Sequence, residues 1–126
     1  MKANLPAIAI GATLACACHP VRDRARRHRN SATTMQTDTL DASIDIRQAG
    51  TANSAHAAQM GNPLYASIDQ NGSNNFTSIS QGSSGNRATV IQAGNNNRAT
   101  LGQSGSGYVA NVVHAGSGNQ SSIYQY

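Results

Sequence analysis

The sequence has no tryptophan, a single phenylalanine and only 4% aromatic residues. Its hydrophobic share is 38%, much of it alanine. That excludes the usual globular core, in which large apolar side chains supply most of the burial energy. Charge is scarce as well, at 11% of residues, so the chain is not of the highly charged kind that stays unfolded. It has two cysteines, Cys16 and Cys18, both close to the start. A cut after Ala17 leaves one thiol, so no internal disulfide staples the remainder. There are no paired carboxylates and no nucleophile constellation, and the histidines, His19, His28, His56 and His114, are scattered. An enzyme needs convergent titratable groups, so none is expected, and neither is a cofactor or a metal. What remains is a chain of Gly, Asn, Ser and Gln, a composition held together by repetitive backbone pairing or not at all.

The formal charge of +4 comes from one short run, in which Arg22, Arg24, Arg26, Arg27 and Arg29 stand against Asp23. From Ile44 onward Arg47, Arg87 and Arg98 nearly balance Asp45 and Asp69, so no folded basic groove and no nucleic-acid partner are expected. The chain opens with Lys2, an apolar stretch of small and aliphatic residues, and the small-x-small triplet Ala15-Cys16-Ala17. This has the form of an export signal and is too short to span a membrane. The segment "TLAC" leaves lipidation at Cys16 as an alternative. The expected layout is a signal peptide over 1–17, a disordered Arg-rich linker over 18–42, and a repeat domain over 43–126.

The repeat is carried by glutamines at Gln48, Gln59, Gln70, Gln81, Gln92 and Gln103, then His114, then Gln125, each 11 residues after the last. Two positions earlier stand Ile46, Ala57, Ile68, Ile79, Val90, Leu101, Val112 and Ile123, seven of them branched aliphatics. Two positions later come Gly50, Gly61, Gly72, Ser83, Gly94, Gly105 and Gly116. Five positions later come Asn53, Leu64, Asn75, Asn86, Asn97, Tyr108 and Asn119. Seven later the residue is Ala55, Ala66, Thr77, Ala88, Ala99, Ala110 or Ser121. Columns kept in register over so long a stretch mark a repeat architecture.

Asn, Ala, aliphatic and Gln follow at intervals of two, which places them on one face of an extended strand. Gly at +2 and Asn at +5 are expected to bracket a turn as the residues that adopt positive φ. The turns after Gln48, Gln70, Gln92 and His114 keep Gly and Asn strictly, whereas "QMGNPL", "QGSSGN" and "QSGSGY" are looser, so the unit is 22 residues long. The predicted fold is all-β: a short parallel β-solenoid, amyloid-like in its cross-β stacking, of four strand-turn-strand units at about 43–59, 65–81, 87–103 and 109–125. Stacked units bury aliphatic on aliphatic, and amides stacked on their copies bond up and down a ladder. Pro63 is the single proline of this array and falls in a loop. The first unit near Ser43 and the last, ending "SSIYQY", both lack a cap, so their bare edges are expected to pair with further copies of the chain.

The pattern "IxQxGxxNxAxxxQ" over Ile44–Tyr126 resembles the curlin repeat of curli fimbriae, the functional amyloid subunits of Gram-negative biofilms. "RQAGTANSAHAAQ" and "IDQNGSNNFTSISQ" are similar to the minor, nucleating curlin, and "SSIYQY" to the major fibre subunit. The resemblance implies export by the general secretory route, periplasmic chaperones that keep the chain unfolded, an outer-membrane secretion pore, and assembly with itself and other curlin subunits at the cell surface. It also implies that Gln48, Gln59, Gln70, Gln81, Gln92, Gln103, Gln125, Asn53, Asn75, Asn86, Asn97 and Asn119 support seeding and growth. His114, Leu64, Tyr108 and Ser83 depart from the pattern. The rival is a soluble solenoid that binds ice or another surface, which needs a flat outward array of matched threonines. The outward columns read Asp45, Ser67, Thr89, Asn111 and His56, Ser78, Thr100, Ser122 instead.

Overall fold

A computed structural model describes residues 30–37 and 41–126 in full and the backbone of 9–14 and 21–26. Eleven strands follow one another: β1 (Ala9–Leu14), β2 (Val21–Arg26), β3 (Ser31–Thr37), β4 (Ala42–Thr51), β5 (Ser54–Gly61), β6 (Leu64–Ser73), β7 (Phe76–Ser84), β8 (Asn86–Asn95), β9 (Arg98–Ser106), β10 (Val109–Ser117) and β11 (Gln120–Gln125). Odd strands form one parallel sheet in the order β1-β3-β5-β7-β9-β11, and even strands form another, β10-β8-β6-β4-β2. Successive strands therefore alternate between two facing sheets, and the chain winds as a β-solenoid.

Between β4 and β11 the register is set by the 22-residue period. Ile46 faces Ile68, Ile68 faces Val90, and Val90 faces Val112, while Gln48, Gln70, Gln92 and His114 follow in the next inward column. The second sheet repeats this with Ala57, Ile79, Leu101 and Ile123. Burial alternates along each strand, as in β8, where Asn86, Ala88, Val90 and Gln92 are buried. A slip of one residue would turn every one of these outward, so the alternation locks the register. The core is thin and aliphatic: Ile46, Ile68, Ile79, Val90 and Leu101 are no more than 1% exposed, with alanines between them. Ile123, on the last strand, is only partly buried.

The array begins earlier than Ser43. Ser31–Thr37 pairs with β5, and Ala32, Thr34 and Gln36 are buried on the inward columns of Ala55, Ala57 and Gln59. Asn30 and Gln36 lie 23 residues before Asn53 and Gln59, whereas later rungs are 22 apart. One extra residue in the connection between β3 and β4 accommodates the difference, and it is also what hides this rung in the sequence. This pairing lies upstream of the boundary expected at 43. The backbone of β2 pairs with β4 from Val21↔Ile44 to Arg26↔Ala49, and that of β1 pairs with β3. Of the expected signal peptide only Ala9–Leu14 is described; the cleavage triplet and both cysteines fall outside the described residues, as do 18–20, 27–29 and 38–40 of the expected linker.

The turns differ in one respect from expectation. Gly50, Gly72, Gly94 and Gly116 do take positive φ, between +103° and +126°. The second positive-φ position, however, is Ala52, Asn74, Asn96 and Gly118, one residue before the asparagine column. Asn53, Asn75 and Asn97 sit inside the solenoid, at most 1% exposed. Their side chains, not their backbone freedom, are what the turn uses.

Candidate functional site

The residues singled out above as ladder positions come together in two stacks. In the odd-strand sheet each amide nitrogen donates to the next glutamine oxygen: Gln36 to Gln59 at 3.0 Å, Gln59 to Gln81 at 2.8 Å, Gln81 to Gln103 at 2.9 Å and Gln103 to Gln125 at 2.8 Å. In the even-strand sheet Gln48 donates to Gln70 at 2.8 Å and Gln70 to Gln92 at 2.9 Å, after which Gln92 Nε2 lies 3.4 Å from His114 Nδ1. Every glutamine–glutamine bond runs the same way, from the earlier rung to the later. The second amide hydrogen crosses the interior to a backbone carbonyl of the opposite sheet, as from Gln70 to Ser54 O, Gln92 to Phe76 O and Gln81 to Tyr65 O. Each glutamine before Gln125 thus joins two rungs and two sheets at once. Full burial is tolerable because both donors are satisfied.

The asparagines do not form an amide-to-amide ladder. Asn53 Oδ1 accepts from the backbone N–H of Asn75, Asn75 Oδ1 from that of Asn97, and Asn97 Oδ1 from that of Asn119. The Nδ2 group of Asn53 donates to Ala49 O within its own turn and to Gly72 O in the next, both at 3.0 Å. Asn75 and Asn97 repeat this toward Gly94 O and Gly116 O at 2.9 Å. Asn86 does the same in the looser set, with Gly82 O and Gly105 O. Each asparagine is a clamp that ties one turn to its neighbour through the main chain. Among the described residues the Asn119 side chain makes only the bond within its own turn, from Nδ2 to Ala115 O.

The glycines explain why the turns nest so closely. A Cβ built on Gly50, Gly72 or Gly94 would lie 1.9 Å from the carbonyl oxygen of the glycine in the next rung. On Gly116 it would meet nothing nearer than Asn119 Nδ2 at 3.8 Å. Ser83 stands in this column with φ +73°, a different backbone setting from its neighbours.

The departures from the pattern are each accommodated locally. His114 is buried at the end of the even ladder, with Nδ1 toward the Gln92 amide. The Gln92 amide nitrogen can only donate, so Nδ1 is the accepting side of this contact. Leu64 is buried in an asparagine place and adds apolar contact instead of a clamp. Tyr108 is half-buried, and its backbone N–H still reaches Asn86 Oδ1 at 2.9 Å. Three participants escape the sequence columns, the first being Asn30, which donates to Gly50 O and accepts from the backbone N–H of Asn53. Gln36 starts the odd ladder, and Thr77, read as an alanine substitute, bonds through Oγ1 to Gln70 and Gln92 across the interior.

Among the described residues two buried side-chain atoms have no partner, Gln48 Oε1 and Ser121 Oγ. They lie toward opposite ends of the stack. The outer faces carry isolated polar contacts, such as Arg47 with Asp45 at 3.1 Å and Arg87 over the Tyr65 ring. Exposed pairs of this sort contribute little to stability.

The family model described as the curlin associated repeat matches residues 41–72, 64–94 and 72–105. These spans run together from 41 to 105, just over half of the 126 residues. Comparison with curated proteins finds no match.

Proposed function

The chain belongs to the curlin repeat family, a family of structural proteins, and from that premise we propose that it is the subunit of an extracellular functional amyloid fibre. Subunits add end to end, each templating the next on its glutamine and asparagine positions, and the fibre serves biofilm matrix and surface adhesion. The observation that carries the reading is the direction of the ladders. Among the described residues this one-way chain of donors reaches Gln125 Nε2 without an acceptor, and a further rung would supply one. Heterologous, head-to-tail contacts of this sort do not close and so generate filaments.

Export by a signal peptide, chaperoning in the periplasm, passage through an outer-membrane pore and co-assembly with other curlin subunits belong to the same proposal, by way of the family. The soluble binding solenoid is less well supported, since the outward columns mix Asp, Ser, Thr, Asn and His where a matched array is needed.

The test is growth of purified chain from monomer. Fibres whose diffraction carries a spacing of about 4.8 Å along the axis are expected. A cross-β dye should report a lag that preformed fibre fragments abolish. A chain that stays monomeric and folded at high concentration, with or without fragments, overturns the proposal.

A further inference from the structure

The two sheets are unequal, six strands against five. The surplus strand is β1, which covers the free edge of β3 from Ala9↔Ser31 to Leu14↔Gln36. Without it the sheets are β3-β5-β7-β9-β11 and β2-β4-β6-β8-β10, equal in number. Since strands alternate between sheets along the chain, that body is a whole number of turns. A further copy placed beyond β10 and β11 then sets its β2 beside β10 and its β3 beside β11, with no rung missing and none doubled. With β1 in place, the position that β11 of a neighbour needs is already filled.

We propose that the edge of β3 is the docking surface for β11 of a second copy, and that β1 holds this surface closed until it is removed. The inference rests on the fibre-subunit reading. Its chemistry lies in the inward columns. β3 presents Ala32, Thr34 and Gln36 in line with the columns that end, on β11, in Ser121, Ile123 and Gln125. Gln36 uses Nε2 on Gln59 Oε1 and Ala42 O, and among the described residues no donor reaches its Oε1. Gln125 has the complementary deficit: its Oε1 accepts from Gln103, and among the described residues its Nε2 has no acceptor. A bond from Gln125 Nε2 to Gln36 Oε1 of the next copy continues the odd ladder in the direction that all its other bonds follow. β1 puts Leu14 at that register position and Ile10 opposite Ala32, and a leucine can neither donate to the ladder nor accept from it. The buried, unpartnered Ser121 Oγ lies on the same terminal rung.

The cleavage triplet Ala15-Cys16-Ala17 falls between β1 and β2. A cut after Ala17 separates β1 from the rest of the chain while β2 stays, and it leaves the two sheets with five strands each. Processing at export then becomes the step that opens the fibre-forming edge.

The test compares rates of elongation on preformed fragments for three forms of the full chain: uncut, cut in place by a signal peptidase, and uncut with Gly11→Pro and Ala12→Pro. Proline removes ladder donors from β1 without touching β3. The uncut chain is expected to elongate at least about tenfold more slowly than the cut one, equivalent to about 1.4 kcal/mol in barrier. The double proline variant should elongate nearly as fast as the cut chain although it is not cut. Arg24→Pro, which disrupts β2 as a rung, should slow the cut chain. Equal rates for cut and uncut chain, a proline variant as slow as the uncut parent, or an Arg24→Pro chain that elongates faster each overturn the inference while leaving the fibre reading intact. Failure of every form to elongate overturns the fibre reading itself.

Discussion

A buried glutamine in this solenoid is held by two rungs, and its place in the stack decides what its loss does. Gln81 accepts from Gln59, donates to Gln103 and donates across to Tyr65 O. Replacing it with alanine strands one buried donor and one buried acceptor on its neighbours, each costing about 1–3 kcal/mol. Gln125 accepts a single bond and is itself half-buried on the last described strand, so Gln125→Ala removes one bond from Gln103 and opens that donor to water. Urea unfolding of the monomer should therefore show Gln81→Ala clearly destabilised and Gln125→Ala close to the parent. Elongation on preformed fragments should reverse the order of harm, since the proposed templating makes Gln125 the donor that meets an incoming copy. If both variants lost stability and growth in proportion, the terminal amide would have no separate role in templating.

At the scale of strands and turns, the strict and loose connections perform different tasks. The turn after β4 is clamped by Asn53 through bonds to Ala49 O and Gly72 O, and Ala52 already takes positive φ. The connection after β5 has Leu64 where a clamp would stand and runs through Asn62 and Pro63 at the surface. The connection between β3 and β4 has already absorbed one extra residue without loss of register. Inserting one serine after Ala52 should lower the unfolding midpoint of the monomer sharply, whereas the same insertion after Asn62 should change it little. A similar loss from both would mean that the clamps do not set the register. The same contrast governs what can be read from the sequence. The columns of Gln48, Ile46 and Gly50 are legible because a period-two strand repeated at a fixed interval leaves a rigid pattern, and that pattern yields the parallel solenoid and its pairing. Gln36 is illegible because one extra residue breaks the interval just where the columns would have extended. The role of Asn53 is illegible for another reason: asparagine serves equally as a turn former and as an amide clamp, and composition does not separate the two. Thr77 looks like an alanine substitute until the opposite sheet brings Gln70 and Gln92 to its hydroxyl.

Over the whole molecule each rung touches only its neighbours, so stability is a sum of rung and interface terms and fades where an interface is missing. The gradient is visible in burial. Leu101 and Gln103 on β9 are at most 2% exposed, while Ile123 and Gln125 on β11 are only half-buried. β10 and β11 each pair along one side alone, and Val109, Val113 and Tyr124 leave apolar surface there. Local opening free energies should follow, lowest at this end and highest near β7 and β8. Amide hydrogen exchange of the monomer is expected to be fastest in β10 and β11 and slowest in the middle strands. In the fibre the same two strands become interior rungs, covered by the next copy, and their protection should rise to the level of β7 and β8, while the middle strands, already covered, change little. A rise spread evenly over all strands would instead indicate that copies associate side by side through the outer faces, where Tyr124 and Tyr126 stack. A gain in protection confined to the last two strands and to β2 and β3 follows from end-to-end addition and from no lateral arrangement, because only stacking leaves the outer faces as exposed in the fibre as they are in the single chain.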